Sequence, residues 1–590
     1  MRHLFPTLGL ALALAAPAAR AQTPAWTGAV QATNPAPTND TGASGNGLAV
    51  DAAGSQYVAG SLKNGAGSGA PATRVFGSTS LTGGSGFGSG FVAKLSATQQ
   101  WQWALRATGN GEEVAFEHVA VSPAGDTYAA GYVAADDLIS PNGGTLLTVG
   151  SFTYTTTRPQ AAFVTRLNAS GQPQWLAGVS GVYILATGWD AAAGNLVVVG
   201  VYERSPVFGA TTLPAPAGTN TEGLFVARLN AAGQWVSAVG VTSTGAASSS
   251  RLAVSSGAVG PQGQAAVAFR VRNGSVTLGS TVINSTSATV ARNVVAQLNA
   301  ANQWTWATEP TVAPATASVA YITNGLRYDR TGNLWLAGEG NVTGLQLGST
   351  PVNEQEFFAR LSPTGQWGAV GIIGHAGSTL ATNTEALAVD ATGNAVVIAE
   401  LPEAITYTFG TRTLANPTAG RKVVARFNPT ALVWDYAQLA PAPSNTGGGL
   451  ADYDFQAAAF DAAGTLHATG SLGGNITFGN TTLANPSASG TNVFVARLGN
   501  AGALQVRPVA GAAPLALWPN PVAAGAAATL RLPAPAATAR PAVLRDALGR
   551  AVAQATVPAG RQEVALPTAG LAPGLYLLEA GGSRAQVVVE

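Results

Sequence analysis

One short phrase returns seven times along the chain, and no other feature constrains the fold as strongly. FVAKL begins at Phe91, FVTRL at Phe163, FVARL at Phe225, VVAQL at Val294, FFARL at Phe357, VVARF at Val423 and FVARL at Phe494. The starts lie 72, 62, 69, 63, 66 and 71 residues apart. A fixed period of this kind marks stacked supersecondary units, each burying its apolar face against the next.

Each copy has the same internal order. A short strand ends in a turn such as Asp51-Ala52-Ala53-Gly54, Asp329-Arg330-Thr331-Gly332-Asn333, Asp390-Ala391-Thr392-Gly393-Asn394 or Asp461-Ala462-Ala463-Gly464. A second strand follows, as in YVAG (57–60), LWLAG (334–338) and LHATG (466–470). Asp and Asn satisfy local backbone groups and Gly takes the positive φ of the turn, so these pairs read as hairpins. A variable stretch then carries a small hairpin, FGATTL (208–213), LGSTVI (278–283), FGTRTL (409–414) or FGNTTL (478–483), before the FVARL strand and a fourth strand.

Four strands per unit, seven times over, predict an all-β, seven-bladed β-propeller spanning 22–508. A linear β-solenoid has a far shorter repeat, and separate sandwiches need about 100 residues each. The pattern resembles the SBBP β-propeller repeat, in which an AVDxxGNxYVxG hairpin is followed by FVAKLNxxG and a Trp- or Tyr-containing strand. The match runs from about Trp26 to Leu504.

Tryptophans give a second periodicity. Trp101, Trp235, Trp304 and Trp367 lie ten residues after the start of their FVARL-type strand, and Trp175 and Trp434 lie twelve and eleven after. Leu504 holds that place in the seventh copy, whereas Ala25-Trp26-Thr27-Gly28-Ala29-Val30 resembles Gln366-Trp367-Gly368-Ala369-Val370. The N-terminal strand 25–30 is therefore expected to complete the last blade, which protects its edge. A side chain fixed by the repeat reads as inter-blade core before it reads as a sugar-stacking platform.

Composition fits this picture. Charged residues are only 10% of the 590, against roughly 25% in average soluble proteins, while 73 glycines and 34 prolines supply turns. The net charge of +1 is too small for the electrostatic footprint of a nucleic-acid binder. Cysteine is absent, which removes disulfides, thiolate metal sites and a cysteine nucleophile.

The two ends read as addresses. Met1-Arg2-His3, the apolar stretch from Leu8 to Ala16, and Ala19-Arg20-Ala21 before Gln22 form a secretory signal peptide (1–21) with cleavage expected after Ala21. No later segment reaches ~18 uninterrupted apolar residues, so no transmembrane span is expected. Residues 509–590, after a linker at about 507–517, read as a small β domain with strands in VLRDALGRAV (543–552), QEVALPTAGL (562–571) and GLYLLEA (574–580).

This terminal segment resembles the type A C-terminal sorting domain of the type IX secretion system of Bacteroidetes. The resembling residues are Trp518-Pro519-Asn520-Pro521, Asp546-Ala547-Leu548-Gly549-Arg550 and Leu571-Ala572-Pro573-Gly574-Leu575-Tyr576. Physically, Pro519 and Pro521 are expected to hold the chain extended, Gly549 to allow a hairpin turn, and Pro573-Gly574 to deliver Tyr576 into a buried strand. The resemblance implies an Ig-like β-sandwich, read by the outer-membrane secretion machinery, with the protein placed at the cell surface or outside the cell.

Motifs for chemistry are sparse. His118, His375 and His467 each stand alone, with no HExxH spacing. The Asp-x-x-Gly turns lack the D-x-[DN]-x-[DN]-G string of a calcium loop. Asp136-Asp137, Glu112-Glu113, Glu354 with Glu356, and Asp452 with Asp454 are acidic pairs of the kind that glycosidases use, but adjacency in sequence favours solvated loops. No GxSxG, P-loop or helix-leading GxGxxG occurs, so no catalytic, cofactor or metal residue is assigned.

The expectation is a monomeric, non-enzymatic, exported binding or adhesion module with a glycan or surface-protein ligand. A secreted glycosidase or lyase and a ligand-free scaffold are the alternatives, and a ligand is best sought in the variable stretches and at the channel mouth.

Overall fold

A computed structural model describes residues 23–499 and 515–590, apart from 36–39, 66–68, 85–87, 111–112, 135–143, 218–221, 245–250, 288–289, 313–324, 341–343, 353–355, 376–381, 445–452, 486–489, 533, 547–549 and 581–582. The expected signal segment with Ala19, Ala21 and Gln22 lies outside the described residues, as do Leu504, Glu112, Asp136, Asp137, Glu354, Asp452 and Gly549. The fold is all-β and propeller-like, and the described residues contain no helix. The chain divides into two compact units, Met1–Asn500 and Ala501–Glu590.

The first unit contains seven four-stranded meanders. In the first, Gly42–Val50, Gln56–Lys63, Gly88–Leu95 and Trp101–Gly109 pair antiparallel in that order. The pattern restarts at Glu113–Val121, Val182–Asp190, Arg251–Val259, Leu326–Tyr328, Asn383–Val389 and Tyr453–Phe460. The seventh sheet takes its fourth strand from the other end of the unit: Trp26–Gln31 pairs antiparallel with Asn492–Leu498, Trp26 opposite Leu498. Each first strand touches the next, and the seventh touches the first, so the series closes on itself.

The FVARL strands are continuous apolar runs because sheets cover both their faces. Phe91, Val92, Ala93 and Leu95 are fully buried, and Phe91 and Ala93 share a core with Val493 and Val495 of the seventh sheet. Equivalent shared cores join the second sheet to the third and the sixth to the seventh. This stacking needs no disulfide.

The small hairpins form a belt between sheets. Leu146–Val149 of the second copy pairs with Trp101–Gly109, the outer strand of the first sheet, and Thr406–Phe409 pairs likewise with Trp367–Gly374. At the same time each hairpin stacks on the outer strand of its own sheet. Phe76 meets Trp101, Phe208 meets Trp235 and Phe478 meets Trp26, all edge to face at 4.9–5.0 Å. The hairpin glycines Gly77, Gly150, Gly209, Gly279, Gly348, Gly410 and Gly479 all have φ between 59° and 63° and face the residue opening that strand or, at Gly410, its second residue Trp434. Glycine takes that φ without strain, and at Gly150 and Gly479 it also permits an approach that a Cβ would block.

The tryptophans occupy two registers rather than one. Trp26, Trp101, Trp235, Trp304, Trp367 and Trp434 stand opposite the last apolar residue of the FVARL strand. Trp175 instead stands opposite Arg166, because Pro173 takes the place opposite Leu167. Its indole donates to Ala231 O (2.9 Å) in the next sheet, as those of Trp103 and Trp306 do to Ala169 O and Pro363 O.

The second unit has a three-stranded sheet (Ala516–Trp518, Ala527–Arg531, Glu563–Pro567) and a four-stranded sheet (Arg540–Arg545, Ala551–Val557, Gly574–Ala580, Ser583–Val589). Leu530, Leu544, Leu566, Leu578 and Val587 form one core between them. Residues 519–521 bend instead of running extended, with both X-Pro peptide bonds cis. Asn520 holds the bend against the last strand, donating to Gln586 O and accepting from Val588 N, both at 2.9 Å. Asp546 and Arg550 form an exposed ion pair at 2.7 Å. Pro573 and Gly574 open the Tyr576 strand, but Tyr576 is only half-buried and its hydroxyl donates to Ala572 O at 2.7 Å.

Candidate functional site

The ends of the first unit differ in what they carry. Tight Asp-x-x-Gly and Asn-x-x-Gly turns crowd one end, where the Asp carboxylates are consumed locally. Asp329 Oδ1 accepts from the amides of Thr331 and Asn333 and from the Thr331 hydroxyl, and Oδ2 accepts from Asn333 Nδ2. This is hairpin chemistry, with the lone pairs a cation would need already engaged. The longer connections lie at the opposite strand ends.

Between the two ends, the first strands surround a cavity of about 450 Å³. Its lining follows from one repeated irregularity. In six sheets the first strand has a register shift, at Asn46, Glu117, Leu185, Ser255, Glu385 and Gln456. A bulge leaves its extra residue out of the ladder and re-aims the side chain. All six of these residues line the cavity. Among the described residues the variable stretches contribute the belt hairpins and do not line this cavity.

The cavity also gathers Glu117, His118, Arg327, Tyr328 and Glu385. Glu117 Oε1 accepts from Asn46 Nδ2 at 2.9 Å, and the same amide donates to Phe116 O, joining the first two sheets. Burial pushes the Glu117 carboxyl up to about 7 despite that hydrogen bond. His118 Nε2 lies 3.1 Å from Ile184 O, and burial lowers its pKa to about 4. The imidazole is therefore neutral near pH 7 and donates across to the third sheet.

Glu385 belongs to a denser group. Lys422, itself buried, is paired with Glu385, with Glu400 at 2.6 Å and with Asp454 at 3.5 Å. Burial opposes the lysine charge, but Glu385 and Glu400 hold it up at about 12. Burial also pushes Glu385 up to about 7, outweighing Lys422. Lys422 therefore stays charged, whereas Glu385, with two other carboxylates beside one ammonium, holds its proton well above the ordinary carboxylate range. Glu385 Oε2 also accepts from Phe455 N at 3.0 Å, capping the bulge of the seventh sheet.

Of the acidic pairs marked in sequence, Glu356 is fully buried and accepts from Thr382 Oγ1 (2.6 Å) and Thr384 Oγ1. Asp454 belongs to the lysine group, while Glu113 opens the second sheet's first strand. His467 bonds Asp461 at 3.1 Å, outside this cavity. Among the described residues no group of three or more His, Asp or Glu is placed to hold a metal ion, and no helix is long and apolar enough to cross a membrane. Sequence reasoning missed Glu117, Arg327, Glu385 and Lys422. Arg327 and Lys422 stand at repeat positions that the other copies fill differently, and Glu117 and Glu385 share the bulge position that other copies give to Asn46, Leu185, Ser255 and Gln456, a signal visible only once the copies are placed in register.

No protein-family model and no curated protein matches this chain. Among solved structures, a novel fungal alcohol oxidase with catalytic diversity among the AA5 family, in complex with copper, is 12% identical at a TM-score of 0.32, covering 96% of this chain and 99% of that one. A protein of unknown function from Bacteroides caccae is 12% identical at a TM-score of 0.19, over 47% of this chain and 88% of that one. A sialidase is 11% identical at a TM-score of 0.14, over 57% and 44%.

Proposed function

We propose that this chain is an exported, seven-bladed β-propeller that binds a ligand in its central channel, followed by an Ig-like sorting domain that directs it through the type IX secretion system to the cell surface or beyond. The observation that carries the binding reading is the 450 Å³ cavity, lined by first strands of all seven sheets. A cavity of that size with a few convergent polar groups is the usual form of a small-ligand site. Its Glu117, His118 and Glu385 are each tied to a neighbouring sheet, so they serve ring assembly first. The sorting reading rests on the three ordered motifs of residues 518–576.

Binding of the full chain to glycan and surface-protein arrays, with polysaccharide hydrolysis assayed in parallel, tests the first part. Saturable binding without turnover is expected, and absence of binding leaves a scaffold. Removing residues 512–590 is expected to trap the protein in the periplasm, and normal release refutes the sorting role.

A second reading, a polysaccharide-cleaving enzyme, is favoured by one fact: Glu117 and Glu385, both raised to about 7, line the same cavity. Carboxyls raised in this way suit general-acid work. Turnover by the wild type that Glu117→Gln or Glu385→Gln abolishes establishes it.

A further inference from the structure

The repeat supplies its own control for what the architecture requires. Two residues before the first turn, the seven copies carry Ala49, Ala120, Gly188, Ala258, Arg327, Ala388 and Ala459. Strand pairing places them in register, opposite Tyr57, Tyr128, Val197, Ala266, Trp335, Val396 and His467. Six copies thus fold with at most a methyl group there. The fifth copy alone has a guanidinium, which the ring does not need.

Arg327 is exposed although it lies on an innermost strand, because it stands in the cavity wall. Among the described residues its one hydrogen bond is Nη1 to the neighbouring Leu326 O at 2.8 Å, and it forms no ion pair. The cavity's two carboxyls are engaged elsewhere, Glu117 with Asn46 and Glu385 with Lys422 and Phe455 N. Thr187 adds a buried hydroxyl without a partner to the same wall. An unpaired arginine fork matches a planar carboxylate through two parallel hydrogen bonds. The hydroxyl and amide groups around it suit a polyhydroxylated molecule.

Building on the channel-binding reading above, we propose that Arg327 is the recognition point for the carboxylate of an acidic saccharide taken up in the channel. Titration calorimetry of the full chain with digalacturonate, its neutral dimethyl ester, inorganic sulfate and inorganic phosphate tests this. Digalacturonate is expected to bind saturably, with the ester at least tenfold weaker and the inorganic anions weaker still. Arg327→Ala is expected to lose at least tenfold in affinity and Arg327→Lys to fall between. Arg327→Ala restores the residue that other sheets carry, so an unchanged melting temperature is expected and shows that the loss is not unfolding. Equal binding of acid and ester, or of wild type and Arg327→Ala, overturns the carboxylate assignment while leaving a channel-binding protein. Sulfate or phosphate binding as tightly as digalacturonate overturns the saccharide. No binding of any of the four rejects this inference, and the array experiment then decides the wider reading independently.

Discussion

The indole of Trp26 meets the ring of Phe478 edge to face at 4.9 Å, joining the start of the first unit to its last hairpin. The same indole lies 6.0 Å from Phe455, and its strand supplies the outer edge of the seventh sheet. Without it, Asn492–Leu498 would present an open edge and the hairpin would lose its support. Trp26→Ala is expected to cost about 3 kcal/mol, the usual loss for a large aromatic in a packed site. Deleting residues 22–31 is expected to destabilise the whole first unit. Chemical denaturation checks both, and an unchanged midpoint in the deletion rules out a closing role for this strand.

The hairpin glycines allow a paired comparison. Gly479 and Gly279 have the same φ, 61° and 60°, but a Cβ would stand 2.4 Å from Trp26 O at Gly479 and 3.7 Å from the nearest atom at Gly279. Gly279→Ala is expected to cost ~1–2 kcal/mol, the backbone term alone. Gly479→Ala adds a clash with backbone that cannot rotate away, a further ~1–3 kcal/mol. Equal losses would show that the outer strand yields freely and that the belt does not hold it.

Much of this architecture was legible because the repeat is strict where backbone geometry is strict. The turn aspartates, the FVARL runs and the hairpin glycines each answer a local demand, so their spacing exposes the all-β class. The cavity was not legible, because its wall is built by bulges at residues as different as Asn46, Leu185 and Gln456. A bulge is a property of pairing between strands and leaves no fixed residue type behind. Trp175 shows the limit from the other side: a two-residue offset in sequence concealed a change of register that only Pro173 opposite Leu167 reveals.

Buried carboxyls give the first unit a pH signature. Burial pushes Glu356 up to about 7 against the pull of Thr382 and Thr384. The folded state therefore keeps its proton while the unfolded chain ionises near 4.5. Stability from this group is fully present below that value and is lost as pH rises to about 7, by up to ~3 kcal/mol at 1.36 kcal/mol per unit. His118 acts oppositely: its pKa is lowered from 6.5 to about 4, so stability is lost as pH falls through that window. Denaturation midpoints of Glu356→Gln should decline less than the wild type between pH 4.5 and 7, the remaining decline coming from Glu117 and Glu385, which are also raised to about 7. A parallel decline in both proteins contradicts the assignment.

In the second unit, Asn520 substitutes for a strand. Its side chain both donates to Gln586 O and accepts from Val588 N, and Val522 continues the contact by bonding with Val588 and Glu590 through the backbone. The last strand is thereby covered on the side away from Gly574–Ala580. Because Asn520 is exposed, water replaces part of what is lost, and Asn520→Ala is expected to cost about 1 kcal/mol. Asn520→Asp keeps the acceptor for Val588 N and loses the donor to Gln586 O, so its effect should be smaller on the Val588 amide than that of alanine. Hydrogen exchange resolves the difference: Val588 should exchange fastest in Asn520→Ala and at an intermediate rate in Asn520→Asp. Unchanged protection of Val588 in both variants would show that the strand is held by its pairing with Gly574–Ala580 and by Val522, without Asn520.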